Sequence, residues 1–459
     1  MSHSAISNPP LPPPVPDPGV VAADRAATAR PPLTRSAAPA YGSNPKWDLL
    51  LASVAGYILT SVGRVHQLFP QLEGLRPAIL TGVVAIGLWV LDRHASRQST
   101  RLIVPTTKYL VAFLVWMALS VPGAIRPGNS FNLVFDSFIK TVLMYFVVAG
   151  SVRQVRDVER LAFVYLISAT VYAGVVLSRF NLGSGDAWRL GHLYYYDAND
   201  FGTFAVSAMP LALYGVLAGR RTLSRALAAL ALSVLTLGFV YSGSRGGFIA
   251  LVAVGAFVVV RYSGIPLRWR MTAPALVAVV VLATASDHYW SQMGTIFSDS
   301  DYNRTEESGR LQIWQRGIGY MLHNPTFGVG AANFQAAEGT LSPHAERQQF
   351  GIGVRWNAAH NSFVQVGAEL GVPGLILFLA IIASTFGALS RAARRWQSLR
   401  PHCRGAQLTQ ALTASWIGFL VGAFFLSLAY SEMFYTLVAL AVGLEKVSRT
   451  GPGHVNVRA

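Results

Sequence analysis

The sequence predicts an all-α polytopic membrane protein with about twelve transmembrane helices, and three observations predict it. Of the 459 residues 52% are hydrophobic and only 13% charged; a soluble chain of this length carries roughly twice that charged fraction. Mean hydropathy is +0.41. The charge is unevenly spread: long apolar stretches hold almost none of it and the segments between them hold most. Backbone polar groups in lipid must be bonded within the chain, so helices are the expected form of those stretches. The formal net charge of +16 would suggest a nucleic-acid partner in a water-soluble domain. In a chain this apolar it is an orientation signal, and no nucleic acid is expected. The one cysteine, Cys403, cannot form an internal disulfide.

Residues 1–45 are rich in Pro, Ala and Ser, with no apolar periodicity, and predict a disordered tail without the core of a signal peptide. The apolar runs that follow are Trp47–Val62, Pro77–Leu91, Lys108–Val121, Phe138–Gly150, Leu161–Leu177 and Phe201–Val216 in the first half. Leu223–Tyr241, Gly247–Val260, Thr272–Ala285, Asn361–Leu389, Leu408–Leu428 and Met433–Leu444 make up the second. Several fall short of the ~20 residues a span needs, so their ends must extend into polar sequence. With the N-terminus inside, alternate connections hold about 21 Lys and Arg on the inner side and roughly 6 in the short outer loops. Both termini are therefore expected to be cytoplasmic, with residues 46–446 as the membrane domain and 447–459 as a short tail.

One connection is long. Residues 286–360, between the ninth and tenth runs, fall on the outer side, and a loop of that length in a compact protein is usually functional. Within it Leu311, Trp314, Ile318, Met321 and Leu322 recur at helical spacing after Ser308, which predicts an amphipathic helix over Ser308–Leu322 with Ser308 as its cap. Gly317 and Gly319 weaken its later turns.

The polar residues of interest cluster on the outer side. Ser244-Arg245-Gly246-Gly247 opens the eighth run, where a charge at the membrane edge needs a partner and a guanidinium suits a phosphate. A lipid-facing Arg that reaches the headgroups is the plainer reading. His360-Asn361 caps the tenth run, and an imidazole there is a natural general base near neutral pH; a merely capping histidine is the alternative. Glu369 lies about two and a half turns deeper and must be paired or face a polar cavity. Arg310 stands one turn from Trp314 on the loop helix, as a second phosphate ligand or a surface charge. Tyr194-Tyr195-Tyr196-Asp197-Ala198-Asn199-Asp200, with Arg189 upstream, precedes the sixth run. Its tyrosines fit an aromatic belt, and Asn199 and Asp200 could bind sugar hydroxyls or an Arg. The sequence has no Walker A or dinucleotide-binding glycine pattern and no metal-ligand spacing, so neither a cofactor nor a metal is predicted.

Together these patches resemble the O-antigen ligase/polymerase superfamily of bacterial inner-membrane proteins. The resemblance rests on Ser244–Gly247, Ser308-Gly309-Arg310 with Trp314, Asn324-Pro325 with Gly328-Val329-Gly330, His360-Asn361, Glu369–Gly374, and Asn199-Asp200. It implies a C-type glycosyltransferase-like fold in which residues 286–360 form a large periplasmic loop. It also implies metal-independent, inverting transfer of a glycan from an undecaprenyl diphosphate carrier to an acceptor hydroxyl. The acceptor is lipid A-core in a ligase, another lipid-linked repeat in a polymerase of O-antigen or exopolysaccharide, and a protein in some relatives. His360, Arg245 and Arg310 would be catalytic; Arg189, Asn199, Asp200, Ser244, Trp314, Asn361 and Glu369 would bind substrate, with Glu369 orienting His360. A polysaccharide or lipid transporter is the alternative from another class, although the two halves show no repeat. A scaffold would leave the outer Arg and His unexplained.

Overall fold

The computed structural model describes residues 46–92, 94, 97, 102–179, 188–191, 193–262, 266–298, 301–343, 345, 357–399 and 403–449. The Pro-rich segment 1–45 and the tail beyond Arg449 lie outside the described residues. Among those described the chain is helical, without strands, and Trp47 onward forms one unit.

Local sequence sets where the helices begin. The Asp48 carboxylate accepts from Leu51 N–H and starts α1, Leu49–Ser61. Proline at the first turn starts α2, Pro77–Leu91; α3, Pro105–Ser120; and α4, Pro127–Ser151, which carries a π-helical stretch at Asn132–Phe138. Then come α5, Val155–Arg179; α6, Ala198–Ala218; α7, Thr222–Ser242; α8, Arg245–Arg261; and α9, Leu267–Thr284. The long connection holds α10, Asp287–Gly294; α11, Arg310–His323; and α12, Phe334–Thr340. The chain closes with α13, Ser362–Leu399; α14, Arg404–Ala423; and α15, Glu432–Arg449, so the segment from residue 447 begins inside a helix.

Each of the twelve apolar runs overlaps one of these helices. Among the described residues six helices are both long and apolar enough to cross a membrane: α4, α5, α6, α7, α9 and Ser362–Ser398 of α13. Helix α6 packs on α5, α7, α8 and α14 and is buried over 83% of its apolar stretch, whereas α9 is buried over 6%. The connections that the charge count assigns to one side gather at one end of the bundle. Asp48, Arg97, Arg153 and Asp157 bond together, and Lys446 Nζ donates to Gly150 O. At the opposite end Val329 O accepts from Ile125 N–H, Arg189 reaches Ser242 and His360 reaches Ser427.

Helix α13 breaks at Gly371, where φ is 69° and ψ −170°. Pro373 has no N–H to give Glu369 O, so carbonyls are freed inside an apolar helix. They find partners: Val329 N donates to Ala368 O, Gly330 N to Glu369 O and Trp116 Nε1 to Leu370 O. A Cβ on Gly328 would collide with Ala368 O, and one on Gly371 with Pro325 O. The Asn324–Gly330 and Glu369–Gly374 motifs are thus two halves of one backbone-to-backbone joint, pinned further where Ser130 Oγ donates to Ala331 O at 2.7 Å.

Candidate active site

The Asp197 carboxylate caps α6, accepting from Asn199 N and Asp200 N at 2.7 Å each. The Arg189 guanidinium donates from Nε to Ser242 O at 2.8 Å and from Nη2 to Asn199 Oδ1 at 3.1 Å. It therefore fastens the α5–α6 connection to the end of α7 and the start of α6. Gly243, at φ 57°, ends α7 in the left-handed region, with Trp188 packed where a side chain would stand. Ser244 is buried and its Oγ accepts from Gly247 N at 3.1 Å, so it starts α8 and delivers Arg245 as the first helical residue. Arg245 Nη1 donates at 2.6 Å to both Thr295 Oγ1 and Asp301 Oδ2.

Helix α11 begins at Arg310 after Gly309, not at a Ser308 cap; Ser308 Oγ instead turns to Glu306. The side packed on the protein is Ile313, Gly317 and Tyr320, while Leu311, Ile318 and Leu322 are exposed. The packed side runs through Gly317 because it lets α11 approach Val364 and Phe334 where any side chain would clash. Arg316 reaches Glu338 with Nε at 2.9 Å and Nη2 at 2.6 Å, and the Tyr320 hydroxyl donates to the same carboxylate at 2.8 Å. That buried triad holds α11 against α12. Trp314 Nε1 donates to Ala359 O at 3.0 Å, with its ring edge-on to Phe424 at 5.5 Å and beside Phe425 at 6.5 Å. Phe425 also covers Gly246, next to Arg245. The starts of α8, α11 and α13 therefore converge on the segment after α14.

His360 sits in that convergence with φ 44°, a left-handed conformation that costs a non-glycine residue about 1–2 kcal/mol. Its N–H donates to Ser427 Oγ at 3.0 Å, and Ser362 Oγ donates to Leu426 O at 2.7 Å. These bonds hold the strained turn. Burial pushes the His360 pKa below its ordinary value; the Arg310 charge pushes it the same way and the Asp197 carboxylate opposes both. The imidazole is therefore neutral near neutral pH and has a lone pair to accept a proton.

The structure thus places Arg310 and Asp197 within reach of His360 by their charges and seats Trp314 on the carbonyl of Ala359, and Asn199 bonds to both Asp197 and Arg189. Arg245 enters through the Gly246–Phe425–Trp314 packing. Three expected ligands serve the scaffold instead. Asn361 is buried, and its Oδ1 accepts from Phe363 N at 2.9 Å and Val364 N at 3.1 Å as the cap of α13. Ser244 is the α8 cap. Glu369 does not reach His360: its carboxylate accepts from the Tyr430 hydroxyl at 2.7 Å and Phe334 N at 3.1 Å. The depth of Glu369 in the helix requires partners, and the nearest donors are on the loop joint and the α14–α15 turn.

Two residues escaped the sequence reading. Asp197 was passed over for its neighbours, although Asp before Ala-Asn-Asp is a cap signal. Asp301 faces Arg245 across 56 residues of chain and carries no local signal. Burial would raise the Asp301 pKa, but bonds from Asn303 and Arg245 outweigh it and keep the carboxyl below its ordinary value. Among the described residues no group of three or more His, Cys, Asp or Glu is placed to hold a metal ion.

Residues 228–379 match the family model described as O-antigen ligase. The match contains Arg245, Arg310, Trp314 and His360 but ends short of Arg189 and Asp197. No curated protein matches the chain. Over this segment, and in its helical architecture, the chain is similar to the O-antigen ligase family.

Proposed function

We propose that this chain transfers a glycan from an undecaprenyl-diphosphate carrier to an acceptor hydroxyl at the periplasmic face of the bacterial inner membrane, as an O-antigen ligase-like enzyme. The observation that carries the reading is the half-buried imidazole of His360, neutral near neutral pH and within reach of the charges of Arg310 and Asp197, at the same end of the bundle as Arg245. An acceptor oxygen attacks the donor sugar C1 opposite the diphosphate, forming the new glycosidic bond. The C1–O bond to phosphate breaks and its electron pair leaves with the diphosphate. A ring nitrogen of His360 takes the hydroxyl proton, and Arg310 and Arg245 stabilise the charge growing on the leaving group. Inversion at C1 follows from the one-step displacement. All twelve helices cross the membrane in this reading, with residues 286–360 and His360 on the periplasmic side and both termini in the cytoplasm.

The test is product formation by the purified full-length protein with lipid-linked donor and acceptor lipid. A new glycosidic bond is expected, and its absence while labelled lipid is moved across vesicles would make the chain a transporter. Extension of lipid-linked repeats with no transfer to lipid A-core would place it in the polymerase branch. Maleimide labelling from one side, through cysteines placed singly at the exposed positions 335 and 449 in a C403S background, checks the assigned faces.

A further inference from the structure

A cavity of about 490 Å³ opens at the end of α6 farthest from Asp197. Helix α6 has 21 residues, so about 30 Å separates its two ends and one small ligand cannot serve both. Arg156 and Glu159 of α5, Arg220 and Arg221 ahead of α7, and Arg404 at the start of α14 line the cavity. Its charge is lopsided. The single carboxylate is already engaged: Arg404 Nη1 lies 3.5 Å from Glu159 Oε2, and the Tyr214 hydroxyl donates to Glu159 Oε1 at 3.0 Å. The side chains of Arg156, Arg220 and Arg221 make no hydrogen bond or ion pair with a described residue. Other arginines at this end are paired, among them Arg97, Arg153, Arg160 and Arg391.

Three unpaired guanidinium groups around one concavity call for an anion, and their forked donors match phosphate oxygens. Helix α7 starts at the rim with no side chain bonded to its first N–H groups, which adds donors of the same sign. What runs away from the rim decides the kind of phosphate. Leu223, Leu227 and Leu230 lie on one face of α7 and are 68%, 57% and 59% exposed. A basic cavity opening onto an exposed leucine stripe fits a charged headgroup with acyl chains laid alongside; a soluble phosphate has no use for the stripe.

We propose that this cavity binds the phosphate headgroup of an anionic phospholipid, with its chains along the exposed face of α7. The site is separate from the glycan-transfer reading and stands whether or not that reading holds. The test uses the full-length protein in nanodiscs of phosphatidylcholine with and without phosphatidylglycerol, and native mass spectrometry to count retained phosphatidylglycerol. Wild type is expected to retain it selectively, and a triple R156Q/R220Q/R221Q variant to bind it at least tenfold more weakly. Loss of positive charge can disturb membrane insertion, so the single variant R156Q, which leaves every other cation in place, is expected to weaken binding at least threefold. Labelling of Cys403 from one side checks that each variant keeps its orientation. Equal retention by wild type and both variants overturns the proposal. So does wild type that is protected from heat by inorganic phosphate as well as by phosphatidylglycerol nanodiscs.

Discussion

At one end of the bundle Asp48 accepts from Arg97 at 2.7 Å and Arg153 at 2.9 Å, and Asp157 is gripped by Arg153 and Arg160. Glu445 is held there by Arg391 and Arg449. At the other end the charges of Arg310 and Asp197 act on a neutral His360; His360 is fixed by its backbone bond to Ser427, and Asp197 is a helix cap. Mutual ion pairs close the first end; at the second, Arg245–Asp301 and Arg316–Glu338 pairs flank an imidazole whose turn is set by a backbone bond to Ser427. The difference teaches what to look for in such a membrane protein. A charge whose partners are all charges is built for stability, whereas a titratable group positioned by its backbone is free to react.

Substitutions can break this contrast or sharpen it. The largest expected effect is on His360: H360A should lower transfer by on the order of 10²–10⁴-fold while leaving expression and melting close to wild type, read by initial rates and by thermal scans of the purified protein. Near-normal turnover in H360A would remove the distinction between the two ends. Next comes R153A, which leaves the fully buried Asp157 carboxylate with Arg160 alone and should cost about 1.5–3 kcal/mol. Its outcome is a lower yield and melting temperature with unchanged activity per folded molecule. G371A should also lose stability, by about 2 kcal/mol or more, because a left-handed residue and a carbonyl clash coincide there. It tests whether the joint between loop and α13 is needed for any activity.

A smaller effect is expected in the pH profile. Transfer requires unprotonated His360, so the rate falls as pH drops through the lowered pKa of that group. In R310Q one of the two influences that depress it is gone while the opposing Asp197 remains. The acid limb of the log rate against pH must then move to higher pH. A limb that stays in place would show that Arg310 does not act on the imidazole. The mildest change is W314F, which gives up one bond to Ala359 O and should cost about 0.5–1.5 kcal/mol.

Hydropathy marked the helices well because lipid demands apolar runs, and each of the twelve runs overlaps a helix, although Leu408–Leu428 continues past the end of α14 at Ala423. What it could not mark was partnership. Gly317, taken as a weakness in α11, is the close contact that docks α11 on α13. Glu369 stood out as a buried acid, but its partners Phe334 and Tyr430 lie 35 and 61 residues away, so nothing near it revealed whether it serves catalysis or packing. The cap signals behaved differently. Ser244 and Asn361 are legible locally as helix starts, and their side chains are consumed in that role.

The carboxylate resting on Arg245 has a consequence for how a donor would enter. An arginine that already holds Asp301 gains a diphosphate only by an exchange of one anion for another, so the affinity a titration reports is that of the bare cation reduced by the hold of its internal competitor. Neutralising the competitor in D301N should tighten donor binding and slow release of the spent carrier, which turns a surface loop into a regulator of turnover.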